Sequence, residues 1–183
     1  MRVLSIDPAL RNTGYAVVER IEPASGKAPR AAVNTATRAD VRTLTYGVIR
    51  NPSKMRQTGC LVAIRERIVD VIREHRPEVC AVEGVIYVQS YRTAITLGAA
   101  RGAAILAAAE HGLEVYEYAP RRVKQAVVGR GAADKQQVAF MMRALLGLTE
   151  TPPPDAADAL AIGLAHLYAT DPARALKETP EAI

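Results

Sequence analysis

Four acidic residues lie beside apolar runs, where a folded protein seldom places an unpaired charge. Asp7 and Glu83 each follow a short, largely apolar run, while Asp155 and Asp158 begin a longer one. A carboxylate at the end of a buried strand, or on the inward side of a helix, is costly to desolvate unless a cation compensates it. The pattern therefore predicts one of two arrangements. Either carboxylate oxygens hold a divalent cation such as Mg²⁺ or Mn²⁺, or distant basic side chains form buried ion pairs.

Chain length and charge bound the class of protein. A chain of 183 residues suits one domain, and 49% hydrophobic with 23% charged residues is ordinary for a globular protein. The net charge of +5 fits a polyanionic partner without proving one. We expect a single domain over 1–170, in which 21–40 form a surface insertion, followed by a polar, flexible tail over 171–183.

Cysteine usage and hydropathy favour a cytoplasmic protein. Cys60 and Cys80 lack the CxxC spacing and are expected to be reduced thiols. The early Asp7 leaves no room for the apolar region of a signal peptide. The apolar tract 99–109 contains Arg101 and is too short to span a membrane.

Apolar periodicity predicts an α/β fold with a mixed five-stranded sheet flanked by helices on both faces. The expected strands are 3–7, 15–19, 44–49, 79–82 and 113–118, and the first two should form an antiparallel hairpin. The expected helices are 55–75, 93–110, 133–146 and 155–168, with a short basic helix or turn at 121–128. Residues 84–92 are expected to form a loop.

This arrangement brings the acidic residues toward one edge of the sheet. Strand carboxyl ends converge on one edge, and Asp155 and Asp158 share a helix face at i and i+3. Each acid also has a simpler explanation. Asp155 suits an N-cap, Asp7 a turn, and Glu83 an exposed strand end. Their joint placement favours a common site.

Four segments, in chain order, resemble the RuvC family of crossover junction endodeoxyribonucleases, which resolve Holliday junctions. They are IDPALRNTGY at 6–15, VEGV at 82–85, VKQAVVG at 123–129 and DAADALA at 155–161. The match covers nearly the whole chain apart from the tail and the 21–40 segment. Ala9 replaces the glycine that usually follows the family's Asp-Pro pair.

The resemblance implies an RNase H-like fold and metal-dependent cutting of two like strands of four-way junction DNA. It also implies a homodimer, two Mg²⁺ ions per active site with Mn²⁺ as a substitute, and the RuvA–RuvB branch-migration complex as a partner. By motif match, the metal-binding catalytic carboxylates are Asp7, Glu83, Asp155 and Asp158. Lys124 and Lys135 match basic residues that contact the scissile region.

Further DNA contacts are expected from basic and aromatic side chains. Near the carboxylates, Arg121, Arg122 and Arg130 would bind flanking phosphates, although such runs are ordinarily solvated surface charge. In the loop after Glu83, Ile86 aligns with the family's junction wedge and Tyr87 is the nearest aromatic. Tyr87 and Tyr91 are candidates for stacking on an unpaired base.

Other functions fit the sequence less well. An actin-like ATPase or sugar kinase shares the Asp7–Gly14 turn, but needs a longer chain and a second phosphate motif. A non-catalytic junction-binding protein gains nothing from acids beside phosphate, and a RuvC-like nuclease acting on structured RNA stays open. No Ser–His–Asp or Cys–His arrangement is evident, and His166 is expected to be structural.

Overall fold

A five-stranded sheet forms the centre of the molecule. The computed structural model describes residues 1–21, 41–85, 90–171 and 182–183. The strands are β1 (Arg2–Asp7), β2 (Asn12–Arg20), β3 (Val41–Arg50), β4 (Val79–Glu83) and β5 (Glu114–Tyr118). Their order across the sheet is β3-β2-β1-β4-β5. Strand β1 pairs antiparallel with β2 and parallel with β4, so the expected hairpin and mixed sheet are confirmed.

Helices cover both faces of this sheet. The described residues contain α1 (Gln57–His75), α2 (Tyr91–Ala109), α3 (Pro120–Val128), α4 (Lys135–Leu146) and α5 (Pro154–Ala169). Side chains alternate along each strand, so Leu4 and Ile6 pack in a core with α1 and α2. Val3 faces the other way, into a core with α3, α4 and α5. The predicted helix-covered α/β sheet is therefore confirmed.

Capping residues move several element boundaries from their predicted positions. Helix α2 begins at Tyr91, because the Ser90 side chain accepts a hydrogen bond from the Thr93 N–H. The prediction that Tyr91 lies in a loop was therefore wrong. Helix α4 begins at Lys135, because Asp134 caps it. Of the predicted insertion 21–40, all but Ile21 lies outside the described residues.

Both cysteines lie in the core. Cys60 and Cys80 are free and fully buried.

At the chain end, Ala182 bridges to Tyr116 of the edge strand β5, and the Ile183 N–H donates to the Val115 carbonyl at 2.9 Å. Within the described ranges, no helix has the length and apolar character needed to cross a membrane.

His166 is a core residue, as the sequence predicted. Its side chain is only 1% exposed, and its Nδ1 lies 2.8 Å from the Tyr118 hydroxyl across the α5–β5 contact. Burial, with a smaller effect of the Arg20 charge, lowers the pKa of His166 from 6.5 to about 4. The imidazole is therefore neutral in the folded protein at neutral pH.

This burial predicts a pH-dependent loss of stability. Between pH 6.5 and about 4 His166 is protonated in the unfolded chain but stays neutral in the folded chain. The contribution of neutral His166 to the free energy of unfolding is complete above pH 6.5. It falls with decreasing pH, by about 3 kcal/mol in total. Urea unfolding at pH 7.5, 6 and 5 measures it, with His166→Gln as the variant that lacks the titrating group. If the free energy of unfolding changed with pH equally in the parent and the variant, this prediction would be wrong.

Candidate active site

Two neighbouring strand ends supply the first pair of carboxylates. Asp7 is the last residue of β1, and Glu83 is the last residue of β4. These strands are parallel, so both acids reach the same edge of the sheet. The two side chains are hydrogen bonded to each other.

A braced turn holds Asp7 in place. Residues 8–11 connect β1 to β2, and the Thr13 hydroxyl donates to the Ala9 carbonyl at 2.5 Å. The Asn51 amide donates to the Leu10 carbonyl at 2.8 Å from outside the hairpin. Alanine at position 9 is therefore accommodated in a turn whose backbone is held by side chains on both sides.

The second pair of acids comes from the first turns of α5. Proline occupies the N-cap at Pro153 without a side-chain capping bond, and Asp155 follows within the first turn. The N-cap explanation for Asp155 is therefore wrong. Asp155 and Asp158 share the helix face that meets Lys135, while the surrounding alanines are buried.

Gly14 allows α5 to approach the hairpin. A Cβ added at this position would lie 1.9 Å from the Asp155 carbonyl oxygen and 2.6 Å from its carbon. Gly14 is also the register partner of Asp7. This backbone contact therefore fixes the start of α5 against the strand end that carries Asp7.

We expect Gly14→Ala to separate these two elements. Because the added methyl meets backbone atoms, the start of α5 must move, and overpacking of this kind costs about 1–3 kcal/mol. Thermal or urea unfolding measures the loss. The control is Gly59→Ala, whose Cβ meets the flexible Met55 side chain at 3.3 Å. Equal stability of the Gly14 variant and the parent would contradict the assignment.

Burial and neighbouring charge suppress the ionisation of Asp7, Glu83 and Asp158. Burial, followed by the charges of Glu83 and Asp158, raises the pKa of Asp7 from 3.8 to about 8. Burial also raises the pKa of Glu83 and of Asp158. A protonated Asp7 donating to Glu83 explains the hydrogen bond between them. A cation bound here would allow the acids to ionise together.

Two lysines face the cluster. Lys135 Nζ lies 3.5 Å from Asp155 Oδ1 and 3.2 Å from Asp158 Oδ2. Partial burial acts to lower the pKa of Lys135, but Asp158, Asp155 and Asp7 raise it overall. The charge of Lys124, on α3, acts on both Glu83 and Asp158. Both lysines are therefore within electrostatic reach of the acids.

The donor chemistry fits a hard divalent cation. All four acids offer oxygen, which Mg²⁺ and Mn²⁺ prefer, and burial followed by the charges of Glu83 and Asp158 raises the pKa of Asp7 although Lys135 opposes the rise. In the described ranges, no three His, Cys, Asp or Glu side chains already form a compact metal-binding group. The fit of these acids to a divalent cation therefore rests on their charge and oxygen donors, and Asp7 and Glu83 are the two that contact each other.

Of the other predicted DNA-binding residues, two are on α3, one is in the loop after it, one is at the start of α2, and two lie outside the described residues. Arg121 and Arg122 are on α3, where the Arg121 side chain packs against Gly131. Arg130 is exposed in the following loop. Tyr91 is 91% exposed at the start of α2. Ile86 and Tyr87 lie outside the described residues.

Gln125 is a supporting residue that sequence reasoning missed. Its amide nitrogen donates to the Gly129 carbonyl at 2.9 Å, and its carbonyl oxygen accepts from the Gly131 N–H at 3.1 Å. The side chain thereby braces the loop between α3 and α4, which leads to Lys135. The available signal was its position in the VKQAVVG segment, directly after Lys124.

Known proteins match this chain over most of its length. The family model described as crossover junction endodeoxyribonuclease RuvC matches residues 3–166. A RuvC from Akkermansia muciniphila is 54% identical over 175 residues, covering 96% of this chain and 95% of its own length. One from Halorhodospira halophila is 42% identical over 167 residues, covering 91% and 90%.

A solved structure shows the same fold over the full length. Thermus thermophilus RuvC in complex with a Holliday junction substrate superposes with a TM-score of 0.80 at 35% identity. The match covers 100% of this chain and 99% of that one. The chain belongs to the RuvC family of crossover junction endodeoxyribonucleases.

Proposed function

We propose that this protein resolves Holliday junctions by hydrolysing phosphodiester bonds in two symmetrically placed strands, during recombination and repair. The observation that carries the proposal is the meeting of Asp7 and Glu83 at one sheet edge, with Asp158 close enough to raise the pKa of both. A protein that only binds DNA gains nothing from acids beside phosphate. A nuclease uses them to hold cations.

The proposed metal ligands are Asp7, Glu83, Asp155 and Asp158, and the proposed ion is Mg²⁺, two per site, with Mn²⁺ as a substitute. When bound, such ions activate a water and neutralise charge on the phosphate. The four acids would hold the ions at this edge of the sheet. Lys135 contacts Asp155 and Asp158, so its ammonium is well placed to meet the scissile phosphate.

The proposed DNA path runs over α3 and the start of α4. Lys124 and the three arginines of this region provide positive charge for flanking phosphates, which positions DNA without reading its sequence. The arginines are Arg121, Arg122 and Arg130. Tyr91, Ile86 and Tyr87 remain the candidates for contacts at the junction centre. Residues 1–170 would serve as one nuclease domain in the cytoplasm, working with the RuvA–RuvB complex.

Helix α2 supplies a face for the proposed homodimer. Tyr91, Ile95 and Leu106 are exposed by 91%, 70% and 51%. A Cβ at Gly98 or Gly102 would meet no heavy atom within 4 Å. At 3.6 residues per turn these five positions share one side of α2. A second copy would bury this apolar stripe, and a two-fold dimer matches the two equivalent strands of a junction.

We expect Ile95→Lys to weaken the dimer, because a lysine in the α2 stripe would be buried without a partner. Sedimentation velocity across a concentration series should show at least a tenfold higher dissociation constant. Val62→Lys, at a 52% exposed position on α1, serves as the control. Equal dimerisation of the Ile95 variant and the parent would exclude this face.

The function is tested with purified protein, Mg²⁺ and three substrates: a four-way junction, a linear duplex and a structured RNA. We expect paired, symmetric cuts in the junction and little cutting of the duplex. Cleavage of the RNA instead would establish the RNA nuclease, and junction binding without cleavage in Mg²⁺ or Mn²⁺ would establish a non-catalytic binding protein.

A further inference from the structure

An ion pair between α2 and β5 lies beside the strand end that carries Glu83. Arg101 Nη2, from the middle of α2, donates to Glu117 Oε2 on β5. The Arg101 side chain is 20% exposed, and its Nε is buried with no hydrogen-bond partner in the described part of the chain. Glu117 is therefore the partner that compensates this largely buried guanidinium.

Glu117 occupies the space next to Gly84. A Cβ added at Gly84 would lie 2.7 Å from Glu117 Oε1 and 2.9 Å from its Cγ. The Gly84 N–H donates to the carbonyl of Tyr118, the residue after Glu117, at 2.9 Å. The backbone that follows Glu83 is thus held by β5 on one side and covered by the Glu117 carboxylate on the other.

The pair and the proposed metal ligand lie on opposite faces of the sheet. Glu117 shares the α2 face with Val115, whereas Glu83 points the other way, toward Asp7 and α5. The pair therefore cannot contact a metal or the DNA phosphate at that site. Its influence passes through the backbone at Gly84, which joins Glu83 to the chain leading into α2.

We infer that Arg101 and Glu117 are positioning residues, which fix the backbone after Glu83 and thereby aim its carboxylate at Asp7. The inference rests on the proposed function of the site. It links α2, the proposed dimer helix, to the catalytic edge. Loss of Arg101 frees Glu117 to leave Gly84, and loss of the Glu117 charge removes the group that Arg101 holds there, so in both cases Glu83 loses its fixed direction. Misplacement of a reacting group by about 1 Å can cost about a hundredfold in rate.

The test compares Arg101→Gln and Glu117→Gln with a matched ion pair. Glu117→Gln keeps the side-chain length and removes one charge, whereas Arg101→Gln removes one charge and shortens the side chain. The control pair is Arg65→Gln and Glu110→Gln, which removes the 2.5 Å contact between α1 and the residue after α2. We expect each Arg101–Glu117 variant to lower kcat about ten- to a hundredfold, with unchanged junction affinity in Ca²⁺. Arg101→Lys should retain most of the rate, and the double variant should be no slower than the slower single one.

A second readout separates positioning from catalysis. Hydrogen exchange of the Gly84 amide should accelerate in both Gln variants and stay slow in the control pair. Unchanged kcat with unchanged Gly84 protection would overturn the inference, as would an equal kcat loss in the control pair. If the parent protein cuts no junction, the proposed function fails, while Gly84 exchange still decides whether the pair holds this backbone.

Discussion

Asp7→Asn is expected nearly to abolish junction cleavage while leaving junction binding intact. The substitution keeps the shape of Asp7 and allows the amide to donate to Glu83, but it removes one charge from the proposed metal site. Metal-ion stabilisation of a phosphoryl transition state is worth several kcal/mol. A loss of about 4 kcal/mol lowers the rate about a thousandfold. Single-turnover cleavage at saturating Mg²⁺ measures the defect.

The same variant should fold at least as well as the parent. Burial and neighbouring acids raise the pKa of Asp7 to about 8, so its carboxyl is mostly neutral at pH 7 without a cation, and a neutral asparagine replaces it without an added electrostatic cost. Binding measured in Ca²⁺, whose looser coordination poorly orients the attacking water, should be unchanged or tighter. Asp70→Asn, on the exposed face of α1, is the control. Cleavage by the Asp7 variant at the parent rate in saturating Mg²⁺ would remove Asp7 from the ligand set.

Local patterns were sufficient to predict the sheet and the edge where the acids meet. Apolar runs ending in Asp7 and Glu83 predicted two buried strands, and their parallel pairing brings both ends together. The i, i+3 spacing placed Asp155 and Asp158 on one helix face. These features depend on short-range periodicity, which a sequence displays directly.

Contacts between distant backbones were not predictable in the same way. The close approach of Gly14 to Asp155 joins residues that are far apart in sequence, and no local pattern records the distance between them. The Glu117 side chain over Gly84 is a similar case. A glycine in a motif shows that space is needed, but only the packed structure identifies the group that fills it.

Boundary errors had a different origin. The start of α2 was misplaced because Ser90 caps the helix ahead of the apolar pattern that identified it. A single side-chain hydrogen bond, from the Thr93 N–H to Ser90, extends the helix through Tyr91. Tyr91 thereby becomes part of the exposed α2 stripe, which relates it to the proposed dimer face as well as to DNA.

The second large effect is expected from the two lysines, and it should separate chemistry from binding. Lys124→Ala and Lys135→Ala each remove a positive charge that acts on the acidic cluster. Loss of one group that stabilises transition-state charge costs about 10²–10³ in rate. The sequence motif favours Lys124 for the larger rate defect at saturating junction, whereas the structure places Lys135 in direct contact with Asp155 and Asp158.

Single-turnover rates at saturating junction, together with the salt dependence of binding, distinguish the roles. A lysine that only contacts the DNA backbone should weaken binding and reduce its salt slope by about one unit, with an unchanged maximal rate. A lysine beside the scissile phosphate should lower the maximal rate itself. Lys54→Ala, in the loop before α1, is the matched control for loss of one positive charge. Parent-like maximal rates for both variants would assign both lysines to DNA positioning, because the carboxylates would then carry the chemistry without them.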